Sequence, residues 1–155
     1  MKNIEIRKYK SEDLNEVIEL IIESINSIED KFYNKTQKEA WIKNISKNKL
    51  GKTFLANYSL VGTIDESIVG IVDITENNYI NMLYVKPSFQ NKGIASLLLK
   101  NVEEYALKRK GDIKVDASEK AKSFFINHGY KQVSKNEVIR SEISLNNYTM
   151  VKIEN

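Results

Sequence analysis

Ile4 and Ile6 alternate with charged residues at the start of the chain, and this period of two predicts a half-buried strand over residues 2–9. From Leu14 the spacing changes. Leu14, Val17, Ile18, Ile21, Ile22 and Ile25 recur at intervals of three and four, the stripe of a helix with one buried face. Ser11 stands at its N-cap position, with Glu12 and Asp13 suited to the positive end of the helix. A polar stretch, residues 27–35, precedes a second helix, for which Thr36 and Glu39 spell a capping box ahead of Trp41, Ile42 and Ile45. Strands are predicted over 52–59, 67–75 and 79–86, and the turn residues Gly62, Asp65, Asn77 and Asn78 between them suggest an antiparallel meander. A helix follows over 94–110, with Ile94, Leu97, Leu98, Val102, Tyr105 and Ala106 on its core face and Gly111 as its cap. A short strand (113–116), a helix (118–128, ended by Gly129) and two strands (130–138 and 143–153) complete the pattern. The order β-αα-βββ-α-β-α-ββ predicts an α/β fold: a mixed, mostly antiparallel central sheet flanked by about four helices.

The 155 residues make one domain, 1–155, with no repeat or linker. Cys is absent, which removes disulfides, a thiol nucleophile and thiolate metal ligands, and suits a cytoplasmic location. With His128 the only histidine, no metal site of the usual zinc kind is expected, nor a serine-type triad that avoids that residue. No apolar run reaches the length of a membrane span, and MKNIEIRKYK has no signal-peptide core. The 24 basic and 21 acidic side chains leave a charge of +3, and all of the basic ones but Arg7, Arg109 and Arg140 are lysine. Lysine cannot supply the fork that reads base edges, so the composition argues against specific nucleic-acid binding.

The chemistry concentrates where the third meander strand passes through Pro87 into a helix: Ile80-Asn-Met-Leu-Tyr-Val-Lys-Pro-Ser-Phe-Gln-Asn-Lys-Gly-Ile-Ala95. Gly93 allows a left-handed turn and close approach by a ligand, and small Ala95 leaves the helix start uncovered. The unpaired N–H groups there and the helix dipole make an anion site, to which Lys92 adds charge, so a phosphate or pyrophosphate is the expected guest. Other phosphate motifs fail on spacing. Gly51-Lys52-Thr53 mimics the end of a Walker loop, but Ser46 stands where its first glycine belongs; in a dinucleotide fingerprint, Leu98 takes the place of the third glycine.

Residues 83–99, Leu-Tyr-Val-Lys-Pro-Ser-Phe-Gln-Asn-Lys-Gly-Ile-Ala-Ser-Leu-Leu-Leu, resemble motif A of the GNAT superfamily of acyl-CoA-dependent N-acetyltransferases, with its Gln/Arg-x-x-Gly-x-Gly/Ala core. Residues 117–130, Ala-Ser-Glu-Lys-Ala-Lys-Ser-Phe-Phe-Ile-Asn-His-Gly-Tyr, resemble its motif B, in the right order and at the right separation. The resemblance implies a GNAT-type fold in which splayed strands form the acyl-CoA cleft, and transfer of an acetyl group from acetyl-CoA straight to a primary amine. It implies that the turn Gln90, Asn91, Lys92, Gly93, Ile94, Ala95 and Ser96 holds the pyrophosphate. The strand Leu83, Tyr84 and Val85 would line the pantetheine arm, with Ser118 and Phe124 beside it.

Where many relatives place a tyrosine acid, this chain has Phe125. Tyr148 and Ser118 are the remaining hydroxyl candidates. Asp116 and Asp73, each at a strand end, are candidate bases. Asn81, where some relatives carry an acid, is a substrate-binding candidate, as are Phe32 and Tyr33, with Trp41, Glu29 or Asp30 near the same amine site. His128, before Gly129, is expected to have a structural role at a helix end. Two other readings stay open: an acyl-CoA sensor without catalysis, and a toxin-type relative that acetylates aminoacyl-tRNA. Pairing of two copies through the C-terminal strands is a further implication of the resemblance.

Overall fold

The computed structural model describes residues 3–153, which form a seven-stranded mixed sheet in the order β1-β2-β3-β4-β5-β7-β6 with five α-helices. The elements are β1 (Glu5–Lys8), α1 (Leu14–Asn26), α2 (Lys35–Lys43), α3 (Lys47–Ala56), β2 (Tyr58–Ile64), β3 (Ser67–Ile74), β4 (Tyr79–Val85), α4 (Ile94–Leu107), β5 (Ile113–Ser118), α5 (Lys122–Asn127), β6 (Lys131–Arg140) and β7 (Ile143–Lys152). Every neighbouring pair is antiparallel except β4 and β5. A parallel pair needs a crossover, and α4 supplies it. The strands bury both faces. Val69, Val72, Ile74 and Ile80 pack with Leu98, Leu99 and Val102 of α4, while Ile68 and Ile71 pack with Val17, Ile21 and Ile25 of α1 and with Phe54 of α3.

Several sequence expectations are corrected. Residues 52–59 are not a strand. Ser46 caps a helix by accepting from the Lys49 N–H at 3.4 Å, and Leu50 and Phe54, one turn apart, bury its inner face. Phe54 is packed against Tyr9, ring centroids 5.1 Å apart. The strand that was expected there starts at Tyr58 and runs through Gly62, which is therefore a sheet residue rather than a turn; a Cβ at Gly62 would lie 3.0 Å from Ile4. This helix raises the count from about four to five. The second helix is capped by Asn34 and Gln37, not Thr36 and Glu39. The Asn34 side chain accepts from the Gln37 N–H and the Gln37 side chain accepts from the Asn34 N–H, both at 2.9 Å. Ser11 likewise caps nothing; its hydroxyl bonds Glu12, while the buried Asp13 accepts from the Lys10 N–H and from Arg7. Finally, the helix expected over 118–128 keeps only Lys122–Asn127. Strand β5 continues to Ser118, whose hydroxyl accepts from the Ala121 N–H at 3.1 Å and turns the chain first.

The β4–β5 ladder decides where a ligand can enter. It consists of Tyr79↔Lys114 and Ile80↔Val115 alone, although β4 runs on to Val85 and β5 to Ser118. At the same level β4 bulges: Asp73 and Ile74 of β3 pair with Met82 and Ile80, leaving Asn81 as the extra residue. Beyond the bulge, the edge of β4 that faces β5 has no strand partner.

Candidate active site

Between the unpaired ends of β4 and β5 lies a cavity of about 450 Å³. Leu83, Tyr84 and Val85 line one side, and Val115, Asp116, Ala117 and Ser118 the other. Its floor is the first turn of α4, and Phe124 and Phe125 of α5 close a flank. An edge of β4 without a partner strand must find other acceptors and donors for its backbone groups, and a bound ligand can supply them. One of those groups is already used: the Val85 carbonyl accepts from the Ser24 hydroxyl at 2.9 Å and from the Gln90 amide at 3.3 Å.

At the α4 end the backbone is shaped for an anion. Asn91 and Gly93 adopt left-handed conformations, with φ of 61° and 83°. The first helical bond joins the Leu97 N–H to the Gly93 carbonyl at 3.1 Å, so the N–H groups of Ile94, Ala95 and Ser96 have no helical acceptor. An ideal Cβ on Gly93 would meet nothing within 4 Å. The glycine is therefore needed for its φ and for open space, not for close packing. A phosphate would find unpaired donors, the helix dipole and room. Lys120 reaches the same end, 3.4 Å from the Gln90 side-chain oxygen.

Of the turn residues expected to hold a cofactor, Gln90, Asn91, Gly93, Ile94, Ala95 and Ser96 line this cavity, together with Leu83, Tyr84, Val85, Ser118 and Phe124. Lys92 does not. Its ammonium lies over the Phe89 ring, 5.5 Å from the centroid, and it faces a second groove on the other side of the turn.

The candidates for catalysis and acceptor binding divide. Asp116 and Asn81 line the cavity; Asp73, Tyr148, Phe32 and Tyr33 do not. Asp116 is exposed, and its two oxygens accept from the Tyr79 hydroxyl at 2.9 Å and the Thr149 hydroxyl at 2.6 Å. Asp73 is wholly buried behind Asn81. It accepts from the side chains of Asn57 (2.9 Å) and Asn81 (3.0 Å) and from the Met82 N–H (2.9 Å), so it holds the bulge together. Burial pushes its carboxyl above the usual range, against the pull of those three bonds. The Tyr148 hydroxyl donates to Glu119, and this bond pushes it up to about 12. Tyr33 is buried: its hydroxyl donates to the Asn146 carbonyl at 2.6 Å and accepts from the Glu119 N–H at 2.7 Å. It packs edge-on behind Trp41, centroids 5.4 Å apart, and Trp41 is the residue that reaches the cavity. Glu29 and Asp30 pair with Lys31 and Lys38.

Ser24 and Ile28 are site residues that sequence reasoning missed. For Ser24 there was a signal. It is a lone hydroxyl at a buried helical position beside Ile21 and Ile25, where an apolar residue belongs.

The acetyltransferase (GNAT) domain family matches residues 27–152, and the chain belongs to that family. An uncharacterized N-acetyltransferase of Escherichia coli K12, YafP, is 30% identical over 138 residues, 89% of this chain and 88% of its own. A GCN5-related N-acetyltransferase from Rhodopseudomonas palustris superposes with a TM-score of 0.94 at 28% identity, over 99% of this chain and 98% of that one. The PaiA N-acetyltransferase from Thermoplasma acidophilum, solved with coenzyme A, shares the fold with a TM-score of 0.81 at 24% identity, over 98% of this chain and 99% of that one. No helix among the described residues is long and apolar enough to cross a membrane, and no group of three or more His, Cys, Asp or Glu side chains there could hold a metal.

Proposed function

We propose that this protein is a cytoplasmic N-acetyltransferase that moves the acetyl group of acetyl-CoA directly to a primary amine. The observation that carries the reading is the continuity of one cavity, from the donor-rich first turn of α4 to the unpaired edge of β4 and on to the Asp116 carboxylate. The pyrophosphate belongs on the Gln90–Ser96 turn, the pantetheine arm between β4 and β5, and the amine beside Asn81, Trp41 and Asp116.

An amine of pKa near 10.4 arrives protonated and must lose a proton before it can attack. Asp116 attracts the ammonium form and takes its proton, directly or through one water. The nitrogen then bonds the thioester carbonyl carbon, the C–S bond breaks with its electron pair leaving on sulfur, and the proton still on the new amide nitrogen passes to the thiolate or to water. N–H groups on the open edge of β4 are suited to the oxyanion. The buried Phe125 offers the thiolate no proton, and with a thiol pKa near 8.5 the leaving group needs little help from an acid.

Asp116→Asn should lower kcat/KM by about 100-fold on the best amine of a panel, the usual scale for losing a general base. Asp116→Asn activity equal to wild type across pH 6–9 would remove the base from the mechanism. Thermal unfolding with and without acetyl-CoA tests the cofactor site. Gly93→Asp puts a carboxylate and an L side chain at φ 83°, and is expected to abolish the cofactor-dependent shift. Cofactor binding with no transfer to any amine would favour the sensor instead.

A further inference from the structure

Two hydrogen bonds of His128 link the end of α5 to the first turn of α4, and acetyl transfer as described leaves them without a role. His128 Nδ1 lies 2.8 Å from the Phe124 carbonyl oxygen, and Nε2 lies 2.9 Å from the Ser96 hydroxyl. A carbonyl oxygen only accepts, so Nδ1 carries a proton. In the neutral ring Nε2 is then an acceptor, and the Ser96 hydroxyl must donate to it. Ser96 lines the cavity beside Gly93, Ile94 and Ala95. With its proton turned to His128, it can show an anion only lone pairs. Protonation of the ring reverses the bond. Nε2–H donates to Ser96 Oγ, the hydroxyl proton is released toward the cavity, and a positive charge stands one hydrogen bond behind it.

We infer that His128 is a positioning residue for the phosphate-bearing ligand at the first turn of α4, acting through Ser96, so that ligand binding and proton uptake by His128 are coupled. This rests on the cofactor reading above and adds to it a residue outside the cavity wall. Position and surroundings favour the coupling. The Phe124 ring covers the imidazole, centroids 4.3 Å apart. On α4, Lys100 lies one turn beyond Ser96, and Lys92 precedes the helix. From β7, Lys152 lies against Gly129 but is paired with Glu103 of α4 at 3.1 Å. Lys122, on α5 itself, lies over the Tyr148 ring. A bound phosphate brings negative charge to the Ser96 side of this bond, one hydrogen bond from the ring. The sign follows: the ligand raises the His128 pKa and binds more tightly below it.

His128 is the only histidine, so its ring resonances in a proton NMR spectrum need no assignment by mutation. The experiment titrates them from pH 5 to 9 with and without saturating coenzyme A. In parallel, calorimetry gives Kd at pH 5.5 and 8 for wild type, His128→Gln and Ser96→Ala. Coenzyme A is expected to raise the midpoint by about half to one pH unit, equivalent to three- to tenfold tighter binding by the protonated form. Wild-type Kd should weaken by about that factor more than His128→Gln does between the two pH values, since titration of the ligand's own phosphates is common to both. Ser96→Ala should shrink the midpoint shift. If His128→Gln fails to fold, the wild-type titration and Ser96→Ala decide. A midpoint unmoved or lowered by coenzyme A, or equal pH dependence in His128→Gln, overturns the role of His128 and leaves the cofactor reading standing. No heat and no resonance change at any pH overturns both.

Discussion

At the scale of single residues, partners decide what a side chain can do. Tyr148 has the hydroxyl that an acid needs, yet its proton is held by Glu119 and it stands outside the cavity. Tyr148→Phe should therefore leave kcat within about threefold of wild type, while Asp116→Asn does not; steady-state rates on one amine check both. Asp13 shows the same dependence in stability. Hydrogen bonding to Arg7, at 2.8 and 2.9 Å, holds its carboxyl below the usual range. A carboxylate with a lowered pKa stabilises the fold above its unfolded value, about 3.9, and this contribution is lost as pH falls through the folded one. Arg7 is 36% exposed, so water screens the pair and its contribution is modest. Asp13→Asn should cost about 1 kcal/mol at pH 7 in urea unfolding, and the difference from wild type should narrow below about pH 4.

At the scale of elements, the bulge of β4 shapes the site and the helix α3 supports the sheet from its other face. Asp73 accepts from the Met82 N–H at the bulge and from the side-chain amides of Asn57 and Asn81. Asp73→Ala takes the acceptor from three half-buried donors and should destabilise the protein by about 1–3 kcal/mol, read from denaturant unfolding. Asp73→Asn, which keeps an acceptor for Met82, should recover part of that loss. For α3 the test is Phe54. It is 1% exposed between Tyr9 and the sheet, so Phe54→Ala should cost about 3–5 kcal/mol while changing neither cofactor affinity nor the acceptor panel. That independence would show that α3 supports β2 and β3 from the face opposite α4.

For the whole molecule, cofactor binding is a stability measurement. Acetyl-CoA at 100 times its Kd should add about 2.7 kcal/mol and raise Tm by roughly 5–10 °C for a chain of this length. The far end of the sheet bears on assembly. Among the described residues β6 pairs only with β7, and its outer strand exposes Val133 and Ile139 (62% and 58%) between Lys131, Lys135, Glu137 and Arg140. If two copies pair along this edge, sedimentation equilibrium gives a dimer mass and Val133→Lys with Ile139→Lys gives a monomer; a monomer mass for the wild type rules the pairing out.

Local patterns were enough wherever one element's chemistry is written in adjacent residues. The α1 stripe, the β3–β4 meander, Gly93 with its left-handed turn and the uncovered start of α4 all follow from spacing and from the steric freedom of glycine, and the motif resemblance pointed to the family. Residues 52–59 misled because Phe54, Leu55 and Tyr58 suit a strand as well as a helix; the choice came from packing Leu50 and Phe54 onto α1, Tyr9 and the sheet, which is long-range. The roles of the carboxylates were hidden for the same reason. Asp73 and Asp116 look alike in sequence, each near a strand end, but the bulge and the parting of β4 from β5 bury one and open the other to the cavity. The link between Ser96 and His128, 32 positions apart, exists only because α4 and α5 meet. Local sequence sets which backbone conformations are cheap, whereas burial and hydrogen-bond partners belong to the assembled sheet, and those decide which of the candidate side chains can take part in the chemistry.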